Sequence, residues 1–219
     1  AQTVIVNYLE RDAEASHIKK KIEEIQTRCI LVKANLLYPN EIDRLFEEIR
    51  STAGTLDVLI HCAALNAFKP LLDVKPNQWD MTMNINARAF LTCVQRAVPM
   101  MNGGHVIAIS SLGGRRVFPN YGAMGPTKAA VEATVRCLAA ELAPRGIRVN
   151  AVTAGLVETE SIMKFPNAEK LARDAVERTP AGRLGQPDDV ADVVMFLLSP
   201  SAQWICGQTI VADGGLSLY

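Results

Sequence analysis

The chain has 219 residues, with 23 Lys and Arg against 23 Asp and Glu. This zero net charge gives no electrostatic reason to expect binding to nucleic acid or to an anionic membrane surface. No apolar run approaches the roughly 20 residues of a membrane helix, and the first ten residues lack a signal-peptide pattern. The five cysteines are isolated, so we expect neither a disulfide scaffold nor a metal site, and a reducing cytoplasmic location fits best.

Short apolar, β-branched runs alternate with amphipathic segments along the whole chain. The runs predict strands at 3–6, 29–32, 57–61, 105–109, 147–152 and 208–211. The intervening periodicity predicts helices over 12–26, around 42–49, and over 76–101, 126–143, 168–178 and 187–199. This alternation indicates a single α/β domain over residues 1–219, with a parallel sheet covered by helices on both faces.

The segment Ser110 to Lys128, SSLGGRRVFPNYGAMGPTK, holds the candidate chemistry. Its two serines come where a strand ends, and ligands bind at the carboxyl ends of such strands. Tyr121 and Lys128 are seven positions apart, so on a helix their side chains would share one face. A positive charge beside a phenol favours its ionised form, which makes Tyr121 a candidate proton donor near neutral pH.

Ser111, Tyr121 and Lys128 resemble the catalytic Ser-Tyr-Lys set of the short-chain dehydrogenase/reductase superfamily. The usual spacing there is Tyr-x3-Lys, but this chain has Gly125 at that position and Tyr-x6-Lys instead. That spacing is similar to the enoyl-acyl-carrier-protein reductases, and the flanking sequence is most similar to their NADPH-dependent type III branch. The resemblance also implies that Asn86, in MNINAR, completes the catalytic set through a water-linked proton path.

The same resemblance implies that the cofactor is NADPH. Arg11 would pair with its 2′-phosphate, the backbone of Val157 would hold the nicotinamide carboxamide, and Thr159 would lie beside the pyrophosphate. The full set of expected cofactor-binding residues is Asn7, Arg11, Asn35, Leu36, Ala63, Ala64, Tyr121, Lys128, Gly155, Val157 and Thr159.

The start of the chain departs from this pattern. A dinucleotide-binding domain opens with a strand, a glycine-rich turn and a helix, but Ala1-Gln2 leads directly into what resembles the second strand. We therefore expect a Rossmann-like doubly wound sheet whose first strand and glycine turn are missing. That strand belongs mid-sheet, so we expect a lane of about 10 Å between strands 3–6 and 57–61, filled by a further N-terminal segment or by something else.

The resemblance implies reduction of the trans-2 double bond of enoyl thioesters in fatty-acid elongation, with Tyr121 stabilising the enolate oxygen. The partner would be acyl carrier protein, the assembly a homotetramer, and residues 160–185 a lid over the substrate. Candidate contacts to the carrier are Lys164, Lys170, Arg173 and Arg183.

Two alternatives stay open. In a short-chain ketoreductase, for a 3-oxoacyl thioester or another carbonyl, the tyrosine would give its proton to a carbonyl oxygen. A non-catalytic member of the superfamily is favoured by the missing glycine turn. The retention of Ser111, Tyr121, Lys128 and Asn86 opposes that second alternative.

Overall fold

The computed structural model describes residues 1–65, 68–160, 162, 165 and 167–218. Its strands are β1 (Thr3–Tyr8), β2 (Arg28–Lys33), β3 (Val58–His61), β4 (Gly104–Ser111), β5 (Ile147–Ala154) and β6 (Thr209–Ala212). Its α-helices are α1 (Asp12–Glu24), α2 (Pro39–Ala53), α3 (Pro76–Met83), α4 (Ala89–Ala97), α5 (Met124–Leu142), α6 (Ala168–Arg178) and α7 (Pro187–Leu198). The predicted alternation of strands and helices is confirmed.

All the strand pairs of the described residues are parallel, and they form two sheets. β1 pairs with β2, and the other four strands run in the order β3-β4-β5-β6. β1 and β3 belong to different sheets and do not pair among the described residues, so the strand-wide lane predicted between strands 3–6 and 57–61 stays a prediction. The Rossmann-like fold class is confirmed, with parallel strands whose carboxyl ends share one edge.

Helices cover the larger sheet on both faces, because successive strand residues point to opposite sides. Val106 and Ala108 of β4 pack in one core cluster with buried side chains of α2, α4 and α5. Ile107 packs in a second cluster with buried residues of α7, and Ile109 joins that cluster. No helix in the described part of the chain is long and apolar enough to cross a membrane.

The prediction of one continuous helix over residues 76–101 is wrong. A π-helical segment, Asn84–Arg88, separates α3 from α4, and a 3₁₀ turn at Val98–Met100 follows. Pro99 lies in that turn, where its ring and missing N–H end the regular helix. The π segment presents Asn86 to the loop after β3, and single π turns of this kind are frequent at functional sites.

Candidate active site

The candidate proton donor, Tyr121, lies against the carboxyl end of β4. Tyr121 Oη donates a hydrogen bond of 3.1 Å to Ser111 Oγ, which also accepts the N–H of Gly113 at 3.2 Å. Lys128 Nζ donates to the carbonyl oxygen of Ile109 at 2.8 Å. Ile109 and Ser111 are two residues apart on β4, a rise of about 7 Å, so the structure brings the predicted set Ser111, Tyr121 and Lys128 together.

Tyr121 is held outside α5, not on it as predicted. α5 begins at Met124, and Tyr121 instead forms an isolated parallel bridge with Lys69. Gly122, next to Tyr121, donates its N–H to the Lys69 carbonyl at 3.1 Å. The prediction that Tyr121 and Lys128 come together because they share a helix face is therefore wrong. A bridge and a hydrogen bond to β4 position the phenol.

Two glycines make room for this arrangement. A Cβ at Gly113 would lie 2.2 Å from Cε1 of Tyr121, and a Cβ at Gly122 would lie 2.6 Å from the Lys69 carbonyl oxygen. Real Cβ atoms do not approach other atoms that closely, so a side chain at either position would displace its neighbour. The ring of Tyr121 therefore lies directly against the backbone at Gly113.

The protonation of the two groups differs from the sequence-based expectation. Burial raises the pKa of Tyr121 above 10.0, and the hydrogen bond with Ser111 only partly opposes that rise. Burial also lowers the pKa of Lys128, which Cys62 opposes. The expected lowering of the Tyr121 pKa by a neighbouring cation is not seen, because loss of hydration outweighs the hydrogen bond with Ser111. Tyr121 is thus a neutral phenol at neutral pH, the form that can donate a proton.

Asn86 connects three elements around the site and is almost fully buried. Its Oδ1 accepts the N–H of Leu65 at 2.7 Å, and its Nδ2 donates to the Leu65 carbonyl at 3.1 Å and to Thr127 Oγ1 at 3.2 Å. The side chain therefore fixes the loop after β3 against α5. Its role in a proton path stays a prediction.

Glu132 is a buried carboxylate that the sequence analysis missed. Oε1 accepts Ser110 Oγ at 2.9 Å and Thr153 Oγ1 at 2.8 Å, while Oε2 pairs with Arg115 Nε at 2.7 Å. It ties the ends of β4 and β5 to the turn that follows Ser111. The sequence spacing could have predicted this placement, because Glu132 lies four residues after Lys128 and therefore shares the same buried face of α5.

The segment after β5 fits the carboxamide end of a nicotinamide cofactor. Leu156 accepts the N–H of Gly185 at 3.0 Å, and Glu158 donates to the Gly185 carbonyl at 2.8 Å. Because neighbouring amides of an extended segment point to opposite sides, the N–H and C=O of Val157 face away from Gly185. A carboxamide needs one donor and one acceptor, which is the pair that Val157 presents. Gly155 and the exposed Thr159 flank it in the same segment.

Lys128 supplies donors that suit the cofactor's ribose hydroxyls. An ammonium group has three N–H donors, and within the described residues the structure gives Lys128 one hydrogen bond, to Ile109. Ala63 and Ala64 follow β3, next to Leu65 in the loop that Asn86 holds. These short side chains allow a ligand to approach the backbone.

The adenosine end matches the prediction less well. Asn7 lies inside β1, which extends beyond the predicted strand 3–6, and its Nδ2 donates to the carbonyls of Val32 and Ala34 at 3.2 and 3.1 Å. Asn35 closes its own turn, since its Oδ1 accepts the N–H of Leu37 and its backbone N–H donates to Glu41. These side chains connect β1, β2 and α2, so any cofactor contact from them or from half-buried Leu36 stays a prediction.

Arg11 directly precedes α1 and forms an ion pair with Glu160, with 2.5 Å between Nη2 and Oε2. Both side chains are more than half exposed. Arg11 lies in the part of the chain next to β1, and Glu160 lies after β5, so the pair spans the two sheets. A 2′-phosphate would have to compete with Glu160 for this guanidinium.

His61 ends β3 beside the site, with its Nε2 atom buried and without a hydrogen-bond partner among the described residues. Its ring packs edge-on against Phe90 at a centroid distance of 5.4 Å. Burial, reinforced by the positive charge of Lys128, lowers the pKa of His61 to about 4. His61 is therefore neutral at physiological pH.

The predicted carrier contacts differ in their availability. Lys170 and Arg173 lie exposed on α6, and Arg173 pairs weakly with Glu169 at 3.8 Å. Arg183 instead binds Asp189 at the start of α7 with two hydrogen bonds, of 2.7 and 2.8 Å. Lys164 lies outside the described residues.

Comparisons with known proteins agree on a superfamily across nearly the whole chain. A family model described as "Enoyl-(Acyl carrier protein) reductase" matches residues 2–217. The chain is 39% identical to 1-cyclohexenylcarbonyl-CoA reductase of Streptomyces collinus over 99% of this chain and 78% of the relative. It is 32% identical to a 3-oxoacyl-(acyl-carrier-protein) reductase of Staphylococcus aureus, over 97% of this chain and 87% of the relative.

A solved structure extends the match to the fold. The angucycline C-6 ketoreductase LanV with bound NADP is 32% identical to this chain, with a TM-score of 0.91. The alignment covers 99% of this chain and 86% of that one.

The predicted enoyl-acyl-carrier-protein reductase activity is wrong. The 3-oxoacyl reductase and the C-6 ketoreductase match nearly all of the chain, and both names specify an oxo or keto group. The prediction depended on the Tyr-x6-Lys spacing together with the similarity of the flanking sequence to the type III enoyl reductases. In the structure that spacing includes a loop before α5, so Tyr121 and Lys128 both reach β4 although they do not share a helix face.

Proposed function

Because the chain belongs to the short-chain dehydrogenase/reductase superfamily, we propose that it reduces a ketone to a secondary alcohol with NADPH. The observation that carries this proposal is the 3.1 Å hydrogen bond between Tyr121 Oη and Ser111 Oγ. This bond brings a neutral phenol and a hydroxyl together at the end of β4, where one substrate carbonyl oxygen could accept hydrogen bonds from both groups. The NADP named with the ketoreductase structure supports the same cofactor here.

Several residues would hold this cofactor. Lys128 would bind the ribose hydroxyls, the backbone of Val157 the carboxamide, Thr159 the pyrophosphate and Arg11 the 2′-phosphate. The chemistry that NADPH supplies when bound is hydride transfer to a carbonyl carbon.

The protein's own groups act on the carbonyl oxygen. Ser111 Oγ orients that oxygen by donating a hydrogen bond, and Tyr121 gives it a proton as negative charge develops. The ketone thus becomes an alcohol, and Tyr121 recovers its proton from solvent. The ammonium of Lys128 stabilises the phenolate until that proton returns.

We propose in addition that the ketone can be carried as a thioester on acyl carrier protein, as the name of the Staphylococcus relative states for that enzyme. The exposed cations of α6, Lys170 and Arg173, would face this acidic carrier. Acetoacetyl carrier protein should then show a lower KM than acetoacetyl pantetheine. The variant Lys170→Glu/Arg173→Glu should remove that difference without changing kcat.

We also propose the homotetramer expected from the resemblance. Large apolar side chains are exposed near the C-terminus: Met195 is 63% exposed, Leu218 72% and Trp204 100%. Burial between subunits would remove this surface from water. Light scattering after gel filtration should give four times the chain mass, and Trp204→Gln should reduce the assembly.

The reaction itself is tested by following NADPH absorbance with acetoacetyl and crotonyl thioesters. We expect oxidation with the acetoacetyl substrate and a 3-hydroxy product. Oxidation confined to the crotonyl substrate would overturn the proposal, and no oxidation with either would favour a non-catalytic protein.

A further inference from the structure

Two phenylalanine rings lie parallel or nearly parallel to the ring of the proton donor, Tyr121. Phe68 and Tyr121 have ring centroids 6.3 Å apart, and Phe165 lies parallel to Tyr121, at 4° and 6.2 Å. Phe165 also stacks on Phe68 with a centroid distance of 3.6 Å and a tilt of 32°. All three side chains are only half-buried, so part of each ring remains accessible.

The backbone fixes Phe68 in this position. The bridge between Lys69 and Tyr121 places Phe68 next to the phenol, and the Gly122 N–H holds the Lys69 carbonyl. Phe165 belongs to the segment after β5, where its N–H donates to the Ile162 carbonyl at 3.1 Å. One ring is thus held by a strand-like contact, while the other lies on a turn outside the sheet.

Phe165 shows what the face of Phe68 accepts: a flat six-membered ring at van der Waals distance, beside the group that donates the proton. On the basis of the ketone reduction proposed above, we propose that the substrate carries its ketone in or next to a flat, unsaturated ring. That ring stacks on Phe68 in the place that Phe165 occupies. A saturated chain buries apolar area there but gains no stacking.

The preference is tested with three ten-carbon ketones and NADPH. They are 2-tetralone, which has a flat aromatic ring, trans-2-decalone, which has the same skeleton saturated, and 2-decanone, an open chain. We expect kcat/KM to be highest for 2-tetralone, about fivefold above trans-2-decalone, which is the range of one aromatic stack.

The variant Phe68→Leu should lower kcat/KM for 2-tetralone about fivefold and leave 2-decanone within about twofold. Phe68→Tyr keeps an aromatic face and should keep the preference, even if Phe68→Leu fails to fold. The matched control is Phe196→Leu on α7, a phenylalanine that is 46% exposed and makes no ring contact with Tyr121 among the described residues, which should change none of the three.

A second readout does not need turnover. The ring alcohol 2-naphthol should bind in the presence of NADP⁺, with fluorescence quenching that weakens in Phe68→Leu but not in Phe196→Leu. Equal use of 2-tetralone and 2-decanone, or an equal loss for all ketones in Phe68→Leu, would overturn the ring preference while ketone reduction stands. Reduction of neither these ketones nor acetoacetyl thioesters would instead remove the proposed function.

Discussion

At the scale of single residues, Tyr121 shows how burial decides the state of a reacting group. Its pKa is raised because the folded chain removes water from the phenol, and the Ser111 hydroxyl offsets only part of that effect. A neutral phenol is a poor base but a usable acid. Proton donation to a developing alkoxide is therefore the role its environment supports.

The substitution Tyr121→Phe removes that proton and keeps the ring. We expect kcat for ketone reduction to fall about 10²- to 10⁴-fold, the usual worth of a positioned acid. The dissociation constant for NADPH, measured by fluorescence titration, should stay within about twofold, because the hydroxyl acts mainly in the transition state. The kcat of Ser111→Ala should lie between the values for the wild-type chain and for Tyr121→Phe. Unchanged kcat in Tyr121→Phe would remove the phenol from the mechanism.

His61 gives the fold a dependence on acid. Its pKa is lowered from 6.5 to about 4 in the folded chain, so between these values the unfolded chain binds a proton that the folded chain excludes. The stability that neutral His61 contributes is complete above pH 6.5 and is lost as the pH falls toward 4. The full effect is on the order of 3 kcal/mol.

Urea unfolding at pH 7.5 and pH 5.0 measures this effect against His61→Asn, which cannot ionise. From pH 7.5 to 5.0 the wild-type chain should lose roughly 2 kcal/mol more unfolding free energy than the variant. Carboxylates that titrate in the same range are common to both chains and cancel. Parallel losses in the two chains would show that His61 is not the buried titrating group.

At the scale of elements, the turn between β4 and α5 positions the site more than either element does. The ring of Tyr121 fits because Gly113 has no side chain, and the turn is joined to the sheet through Glu132 and Arg115. If Tyr121 were positioned by a helix, small changes in this turn would leave the phenol in place. Because its ring lies against the backbone of Gly113, the same changes should move it.

Gly113→Ala should therefore act through the phenol. Its Cβ would lie 2.2 Å from Cε1 of Tyr121, so the ring must move and the hydroxyl must leave Ser111. We expect a loss of about 100-fold in kcat, as for displacements of about 1 Å at a reacting group. The KM for NADPH should change little. Steady-state kinetics and a thermal melt of the same sample separate this loss from unfolding.

The same substitution in a Tyr121→Phe background is the control. With the hydroxyl already gone, Gly113→Ala should cost little further kcat, since both changes remove one function. A full 100-fold loss in that background would mean that Gly113 acts elsewhere, for example through Gly125, whose Cβ would approach the Gly113 carbonyl oxygen.

At the scale of the whole molecule, the sequence predicted what depends on local pattern. The strand and helix positions follow from period and composition, and Ser111, Tyr121 and Lys128 could be read from one continuous motif. The contacts that sequence could not predict join distant segments: Asn86 with Leu65, Glu132 with Thr153, and Phe68 with Phe165. No local propensity encodes such pairs, because they exist only after the sheet has assembled.

Arg11 and Glu160 form such a long-range pair, and it bears on cofactor choice. Both side chains are more than half exposed, so the ion pair adds little to stability and can exchange for another anion. If Arg11 reads the 2′-phosphate, Glu160 is its competitor. Arg11→Ala should then raise the KM for NADPH about tenfold, the worth of a charge-assisted hydrogen bond, and leave the KM for NADH nearly unchanged. Glu160→Gln should lower the KM for NADPH alone.

Lys33 is the matched control for Arg11. It is also 53% exposed, lies at the end of β2, and pairs with Asp12 at 2.9 Å. Lys33→Ala removes one positive charge from the same region without touching Arg11, so it should shift both cofactors equally and slightly. Initial rates with NADPH and NADH at constant ionic strength give the four constants needed for each variant. If Arg11→Ala raises both KM values together, or if Lys33→Ala changes selectivity as much as Arg11→Ala does, general positive potential selects NADPH and Arg11 does not read the phosphate.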